Sequence, residues 1–444
     1  MAPQPQGEIR DTCIDFEAIE AINAEIRPYL HRLVKTFFFR NVKVDLYKQC
    51  EMWNSEASCF QPSCIVQPLD DELVPDSWKA STVDSPDSNP FGKKLLARRP
   101  IPEFNDKDFV VVSDETYGDG IWVDLQANPE RFTGYAGPAA NRVWESIYSD
   151  NCFGVAPYLQ NAVGGWGNQH TGLDGKDEPF VTPPHNRAKL IEFLEDLSEE
   201  DLATPFSPQE VPLEIRSFYR VISGFHASVS THICYKYLNH TTGNWEKNLD
   251  CFISKIGAYP DRLQNIYFNY VILLRSLNKM SNLLLKTNYA TGHPKEDKLT
   301  LRILKGTNKA ASSFNENKLF VGSDRELLKD EFKSNFRNIS RIMDCTGCEK
   351  CRLWGKTQTT GLGTAMKSLF SYPEKAFKRG ATSVNFKRNE IVSLINTFHQ
   401  FSTSIKAIGA FREMYQGILD DYNNNVSGLE STTKTLDTHK RDEL

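Results

Sequence analysis

A run of apolar residues at helical spacing near the middle of the chain constrains the fold more than any other feature. Leu263, Ile266, Tyr267, Tyr270, Val271, Leu274, Leu277 and Leu284 share one broad face of a helix expected over 263–285. A second helix is expected over 389–415, with Ile391, Leu394, Ile395, Phe398, Ile405 and Ile408 turned inward. A third covers 16–34, with Asp15 as its cap. Shorter helical patterns occupy 138–149, 186–197 and 213–237, while Val42, Val44 and Leu46 alternate with charged neighbours as a short strand does. No internal repeat and no alternation of strand with helix is present. The fold class is therefore mainly α: a single helical domain with long irregular loops and at most a minor β-hairpin. Loops are expected over 61–108 and in a Gly- and Pro-rich insertion at 153–186. After Gly417 the pattern fades into a polar tail, so 1–416 reads as the domain and 417–444 as a flexible extension.

Charge and hydropathy remove two function classes. The 52 Lys and Arg against 57 Asp and Glu leave a net charge of −5, with no phosphate-neutralising excess for nucleic acid. No stretch of about 18 apolar residues exists to span a bilayer. The strongest candidate, 267–277, is interrupted by Asn269 and Arg275, so any membrane association is expected to be peripheral.

Ten cysteines are present, at 13, 50, 59, 64, 152, 234, 251, 345, 348 and 351. Their meaning depends on compartment, because thiols stay reduced in the cytosol and pair in oxidising lumens. The chain ends His439-Lys440-Arg441-Asp442-Glu443-Leu444, which resembles the retrieval signals of the endoplasmic reticulum lumen. Residues 1–7 lack the basic flank and apolar core of a secretory leader, so a lumenal address requires that a leader has been removed. Sequons at Asn239, Asn338 and Asn425 fit that address as candidate glycosylation sites.

Cys345, Cys348 and Cys351 stand three residues apart and share a face if that stretch is helical. The spacing alone admits three readings. A CxxC at a helix start is a redox dithiol, because the helix N-terminus lowers a thiol pKa. Three cysteines could instead ligate zinc or an iron–sulfur cluster, although no local fourth ligand is present. The third reading is a structural disulfide with a spare thiol. Cys59 and Cys64 bracket four residues including Pro62 in a polar stretch, which suits either an exchangeable exposed disulfide or a loop staple. The usual templates fail: Gly355-Lys356-Thr357 lacks the upstream glycine of a phosphate-binding loop, and GxGxxG, HExxH and GxSxG are absent.

Longer motifs narrow the choice. Asn128-Pro-Glu-Arg-Phe-Thr-Gly-Tyr135, Ser223-Gly-Phe-His226, Asn265-Ile-Tyr-Phe-Asn-Tyr270 and Arg337 through Lys356 resemble the endoplasmic reticulum oxidoreductin family of flavin-dependent thiol oxidases, with gaps from about Cys13 to Tyr415. The resemblance implies a flavin held in a helix-bundle core, with FAD as cofactor and protein disulfide isomerase and molecular oxygen as partners. Cys348–Cys351 would be the pair beside the flavin, with Cys351 facing it, and Cys59–Cys64 the shuttle pair on a mobile loop. Cys50–Cys345 would be a structural bridge. The FAD-contacting positions would be Arg131, Thr133, Tyr135, Trp144, Ser223, His226, Arg262 and Arg275, and no metal is implied.

The chain departs from the family pattern between Ile65 and Asn151, which hold none of the extra cysteines that restrain the shuttle pair in human-type and yeast-type members. Cys234 and Cys251 match no recognised family pair, and Cys13 and Cys152 lack an obvious mate. The implied activity is electron transfer from the isomerase through both cysteine pairs to FAD and oxygen, with hydrogen peroxide as product. The rival is a non-enzymatic lumenal protein with a zinc site or structural staple at Cys345, Cys348 and Cys351. A disulfide isomerase would need a thioredoxin-like βαβ pattern around the CxxC, which is missing.

Overall fold

The computed structural model describes residues 16–47, 50, 64–75, 120–131, 135, 138–150, 213–239, 241–257, 259–286, 294–308, 316, 336–377 and 386–439. The expected insertion at 153–186, the helix at 186–197, Asp15 and most of the 61–108 loop fall outside these residues. In chain order come α1 (Phe16–Leu33), α2 (Phe37–Arg40), β1 (Asn41–Val44), β2 (Ile121–Asp124), α3 (Pro138–Asp150) and α4 (Leu213–Tyr235). They are followed by β3 (Tyr237–Leu238), β4 (Trp245–Glu246), α5 (Leu249–Phe252), α6 (Pro260–Lys286), α7 (Pro294–Thr307), α8 (Glu349–Met366) and α9 (Arg388–His439). Among the described residues the fold is mostly helical, as the periodicity required, with two small antiparallel pairs: β1 with β2, and the β3–β4 hairpin.

The core is built where α4, α6, α8 and α9 pack on one another, with α1 closing one side. Two glycines permit the closest approaches. A Cβ on Gly224 of α4 would lie 2.2 Å from the Asn265 carbonyl oxygen of α6, and one on Gly361 of α8 would lie 2.0 Å from Thr397 Oγ1 of α9. Between the helices the interior holds many polar side chains, and several of them pair across elements. Asn23 donates to the Ser402 carbonyl (3.1 Å) and accepts from Tyr270 Oη (3.0 Å), and Lys367 meets Glu390 at 2.9 Å.

Three elements differ from the sequence expectation. The helix α8 carries Gly355, Gly361, Gly363 and four threonines, a poor helix-forming composition. It is helical because nearly all of it is buried, where backbone groups must bond to each other. The helix α7 was not anticipated, although Pro294 at its first position and Glu296 and Asp297 in its first turn are start signals. Lastly, α9 does not stop near Tyr415 but continues to His439, so the stretch after Gly417, expected to be a flexible tail, is helical as far as that residue. Loss of an apolar stripe ends burial, not the backbone hydrogen-bond ladder, and local pairs such as Gln416 to Asp420 (2.8 Å) assist it.

Cys234 and Cys251, which the sequence left open, form a disulfide joining the end of α4 to α5 across the β3–β4 hairpin, with a sequence separation of 17. Replacing both with serine is expected to cost about 3 kcal/mol, by the loop-closure argument for a loop of this length. Thermal unfolding should report the loss while leaving thiol chemistry at Cys348 and Cys351 intact. An unchanged Tm would show that α4 and α5 stay together without the bond.

Candidate active site

Cys348 and Cys351 are buried free thiols at the start of α8, with Cys348 as its N-cap. Their position is fixed from several sides. Cys345 is disulfide-bonded to Cys50, which ties the turn before α8 to a segment 295 residues earlier. Arg352 reaches back to the Thr346 carbonyl (3.0 Å) and also donates to the Leu46 carbonyl. Trp354 Nε1 donates to the Asn128 carbonyl at 2.9 Å, pinning the 128–131 loop on α8. From that loop the Arg131 carbonyl accepts the Cys351 thiol at 3.5 Å.

Cys64 completes the group. It is fully buried, disulfide-bonded, and packed with Cys348 and Cys351 in one cluster covered by Tyr135. The segment carrying it is strapped down by Val66 N–H to Glu349 Oε2 (3.0 Å) and by a two-way amide pair between Gln67 and Asn128 (2.7 and 2.8 Å). Leu69 N–H donates to the Trp122 carbonyl of β2 at 2.7 Å, so the small sheet serves as the fixed edge against which this segment lies. Cys59, its expected partner, lies outside the described residues, as does Thr133.

The two thiols have opposite electrostatics. The hydrogen bond from Cys351 draws the Cys348 pKa down against the cost of burial, and the Lys350 and Cys351 backbone N–H groups at the helix start add to it. Burial, the Cys348 contact and the charges of Cys348 and Glu130 push Cys351 well up. The helix start and the Cys351 hydrogen bond thus favour the thiolate at Cys348, while burial favours the protonated form at Cys351.

Cys351 also forms part of the wall of a pocket. Its lining includes Trp144, Phe225, Val229, Met343, Gly355 and Gln358, with Tyr135 shared between the pocket and the sulfur cluster. Gly355 leaves the room: a Cβ there would meet Met343 Sδ at 3.0 Å. Trp144 stacks on His226 with ring centroids 3.8 Å apart, and His226 faces Tyr148 Oη at 3.1 Å. Ser223 is buried and accepts from Asn265 Nδ2 at 3.0 Å. Arg262 donates to the Lys255 carbonyl (2.9 Å). Burial and then the charges of Arg262 and Lys255 hold His226 well below its ordinary range. Burial and Arg262 lower Lys255 as well. In both cases burial is the leading cause, and neighbouring positive charge adds to it.

Arg275 is not brought to this group. It stands thirteen residues beyond Arg262 on α6, about 20 Å along the axis. There it is paired with the buried Glu316 at 2.9 Å, which Lys279 also contacts at 3.1 Å. Lys255, Phe225, Gln358 and Glu130 stand around the same group. Glu130 lay inside the Asn128–Tyr135 motif and was legible there; Gln358 and Lys255 carried no local signal. Of the sequons, Asn239 sits in the β3–β4 turn, donating to Glu246 at 2.6 Å. Asn338 is half-buried in the helical residues 336–342, and Asn425 lies on α9.

The family model for Endoplasmic Reticulum Oxidoreductin 1 matches residues 25–408. The chain belongs to the endoplasmic reticulum oxidoreductin family. It is therefore an oxidoreductase of that family, and the family's name places it in the endoplasmic reticulum. It is 35% identical to Endoplasmic reticulum oxidoreductin-1 of Neurospora crassa over 94% of this chain and 69% of that protein. It is 34% identical to ERO1-like protein alpha of Rattus norvegicus, over 94% and 92%. Among solved structures it resembles that of Ero1p, described as a source of disulfide bonds for oxidative protein folding in the cell. The TM-score is 0.61 and the identity 30%, covering 91% of this chain and 99% of that one. Among the described residues no helix is long and apolar enough to cross a membrane.

The sequence resemblance implies a flavin, and a flat ring system would suit the residues present. The pocket is apolar and flanked by aromatic rings, and it has a thiol in its wall. Gln358 Oε1 is a buried acceptor without a hydrogen-bond partner among the described residues, and Arg131 Nε a buried donor in the same state. Lys255, Arg262 and His226 are side chains of the kind that hold a diphosphate.

Proposed function

We propose that this protein is an FAD-dependent thiol oxidase of the endoplasmic reticulum lumen that makes disulfides in protein disulfide isomerase. The observation that carries the reading is the burial of Cys64 against Cys348 and Cys351, with Cys351 on the wall of the aromatic pocket. That order of sulfurs is what an inward relay of electron pairs requires.

A thiolate of the reduced isomerase attacks the Cys59–Cys64 disulfide, and exchange leaves the isomerase oxidised and the shuttle pair as a dithiol. A shuttle thiolate then attacks Cys348 in the Cys348–Cys351 disulfide. That bond breaks, a mixed disulfide to Cys348 forms, and the electron pair moves to the Cys351 sulfur. The second shuttle thiol resolves the mixed disulfide and leaves Cys348 and Cys351 as a dithiol. Tyr135, Trp144, Phe225 and Gln358 would hold the flavin ring beside Cys351, while Arg262, Lys255 and His226 would hold its diphosphate; Arg131, Thr133 and Ser223 complete the proposed set. Once bound, the flavin supplies two-electron oxidation of the dithiol and passes the electrons to oxygen, with hydrogen peroxide as product. Two pairs are needed because a buried pocket cannot admit a folded protein substrate.

The visible spectrum tests the cofactor: purified protein should be yellow. The competing zinc reading predicts colourless protein, and it loses a ligand because Cys345 is already bonded to Cys50. Replacing Cys59 and Cys64 together with alanine tests the relay. Oxidation of reduced isomerase should be lost, whereas a small dithiol able to enter the site should still be oxidised. Equal loss with both substrates would remove the shuttle from the scheme.

A further inference from the structure

A buried carboxylate stands one side chain away from the reacting sulfurs. The Glu130 side chain is 6% exposed and belongs to the same loop whose Arg131 carbonyl accepts the Cys351 thiol. Its Oε1 accepts from Tyr135 Oη at 3.1 Å and from Gln358 Nε2 at 3.3 Å. Its Oε2 lies 3.7 Å from Nδ1 of His232, whose side chain is 4% exposed. The far nitrogen of that imidazole is held by Ser404 Oγ (3.0 Å) and the Gln400 carbonyl (3.1 Å), and Ser404 pairs with Ser228 at 2.8 Å. Tyr135 is the spanning group: its ring packs on the Cys64, Cys348 and Cys351 cluster while its hydroxyl is on Glu130.

A buried carboxylate with this set of partners is costly unless it has a task or a complete set of donors. Resting on the proposed thiol oxidase function, we infer that Glu130 is the proton acceptor for the Cys351 thiol, reached through the Tyr135 hydroxyl and positioned by His232. The step conserves charge. In the proposed step the Cys351 thiol turns from the Arg131 carbonyl to the Tyr135 oxygen; its S–H bond breaks as the proton passes there, the Tyr135 hydroxyl proton passes to Glu130 Oε1, and one negative charge moves from carboxylate to sulfur. No electrons move in this step. When exchange at Cys348 later releases Cys351 as a thiolate, the same path returns the proton. The arrangement answers a definite problem: two negative charges, on Glu130 and Cys351, would otherwise share a water-poor site.

The groups acting on this carboxylate are Tyr135 from its own loop, Cys351 and Gln358 from α8, and His232 from α4. Behind His232 lies His399 of α9, whose ring nitrogen is 3.2 Å from His31 of α1. Burial, then the charges of Arg27 and the neighbouring histidines, drives His399 to about 3, so it is neutral at working pH. His232 is the histidine that faces Glu130, with Nδ1 3.7 Å from Oε2.

The test uses reduced holoenzyme with Glu130→Gln, Glu130→Asp and His232→Gln. The first readout is the pH dependence of Cys351 alkylation by iodoacetamide, followed by mass spectrometry of the modified peptide; it needs no flavin turnover. Removing the carboxylate charge in Glu130→Gln should move the alkylation midpoint toward lower pH by about one pH unit. The second readout is the rate of flavin reduction by added dithiol, which should fall on the order of 10²-fold in the same variant despite its more available thiolate. Glu130→Asp should recover part of that rate, and His232→Gln should slow it while leaving Glu130 in place. A rate that is unchanged, or that rises with the thiolate population, would overturn the inference and reduce Glu130 to a neighbouring charge. An unmoved alkylation midpoint would overturn it as well. Protein that purifies without flavin would sink the oxidase reading instead, and the alkylation series would still report on Glu130.

Discussion

Replacing Cys351 with alanine is expected to abolish dithiol oxidation, a loss on the order of 10³-fold or more, because no intramolecular disulfide can form on one sulfur. The same loss is expected for Cys348→Ala, yet the two variants should fail differently. In Cys351→Ala the surviving Cys348 loses the thiol hydrogen bond that helps lower its pKa but keeps the backbone N–H groups at the start of α8. It remains a nucleophile packed against Cys64, with no partner to resolve it, so a mixed disulfide to the shuttle pair should accumulate. In Cys348→Ala the surviving Cys351 is the thiol that burial keeps protonated, and it faces the pocket. No mixed disulfide should build up there. Oxygen uptake with reduced isomerase, paired with non-reducing peptide mapping, reads both effects. Turnover that survives either substitution would end the assignment of this pair, and identical peptide maps would end the assignment of roles within it.

The second large effect concerns packing. Gly361→Ala places a Cβ 2.0 Å from Thr397 Oγ1 and 2.5 Å from the Ser393 carbonyl oxygen, and Gly224→Ala places one 2.2 Å from the Asn265 carbonyl oxygen. Backbone oxygens cannot rotate away, so in each case two core helices must separate. Overpacking of this kind costs about 3 kcal/mol, or more where the helices are as tightly held as these. Gly409, on the same helix as Thr397, is the control, since an added Cβ there meets nothing within 4 Å. Gly409→Ala should raise the melting temperature slightly, by up to about 1 kcal/mol of helix propensity. Opposite shifts in thermal unfolding are the expected result. A Gly361→Ala protein with the wild-type Tm would mean that α8 and α9 have slack the geometry does not show.

Both predictions converge on α8, whose buried interior supports the site. It carries the CxxC at its start, Gln358 at the pocket and Gly361 at its closest helix crossing. A change that moves α8 relative to α9 should therefore disturb the thiol pair as well as stability.

Residue pattern alone sufficed for α1, α4, α6 and the first part of α9, because an apolar stripe is a local property that repeats every few residues whatever the rest of the chain does. It likewise marked Cys348 and Cys351 and the Asn128–Tyr135 loop, where several residue types must recur in fixed order. Periodicity could not show that α8 is helical, since its glycines and threonines argue otherwise and only enclosure by neighbouring helices decides the matter. Nor could it pair Cys234 with Cys251, direct Arg275 to Glu316 rather than to the basic group around Arg262, or set Glu130 against His232. Those are meetings between segments far apart in the chain. Which side chains meet there is settled by how helices stack, and local spacing carries no record of that.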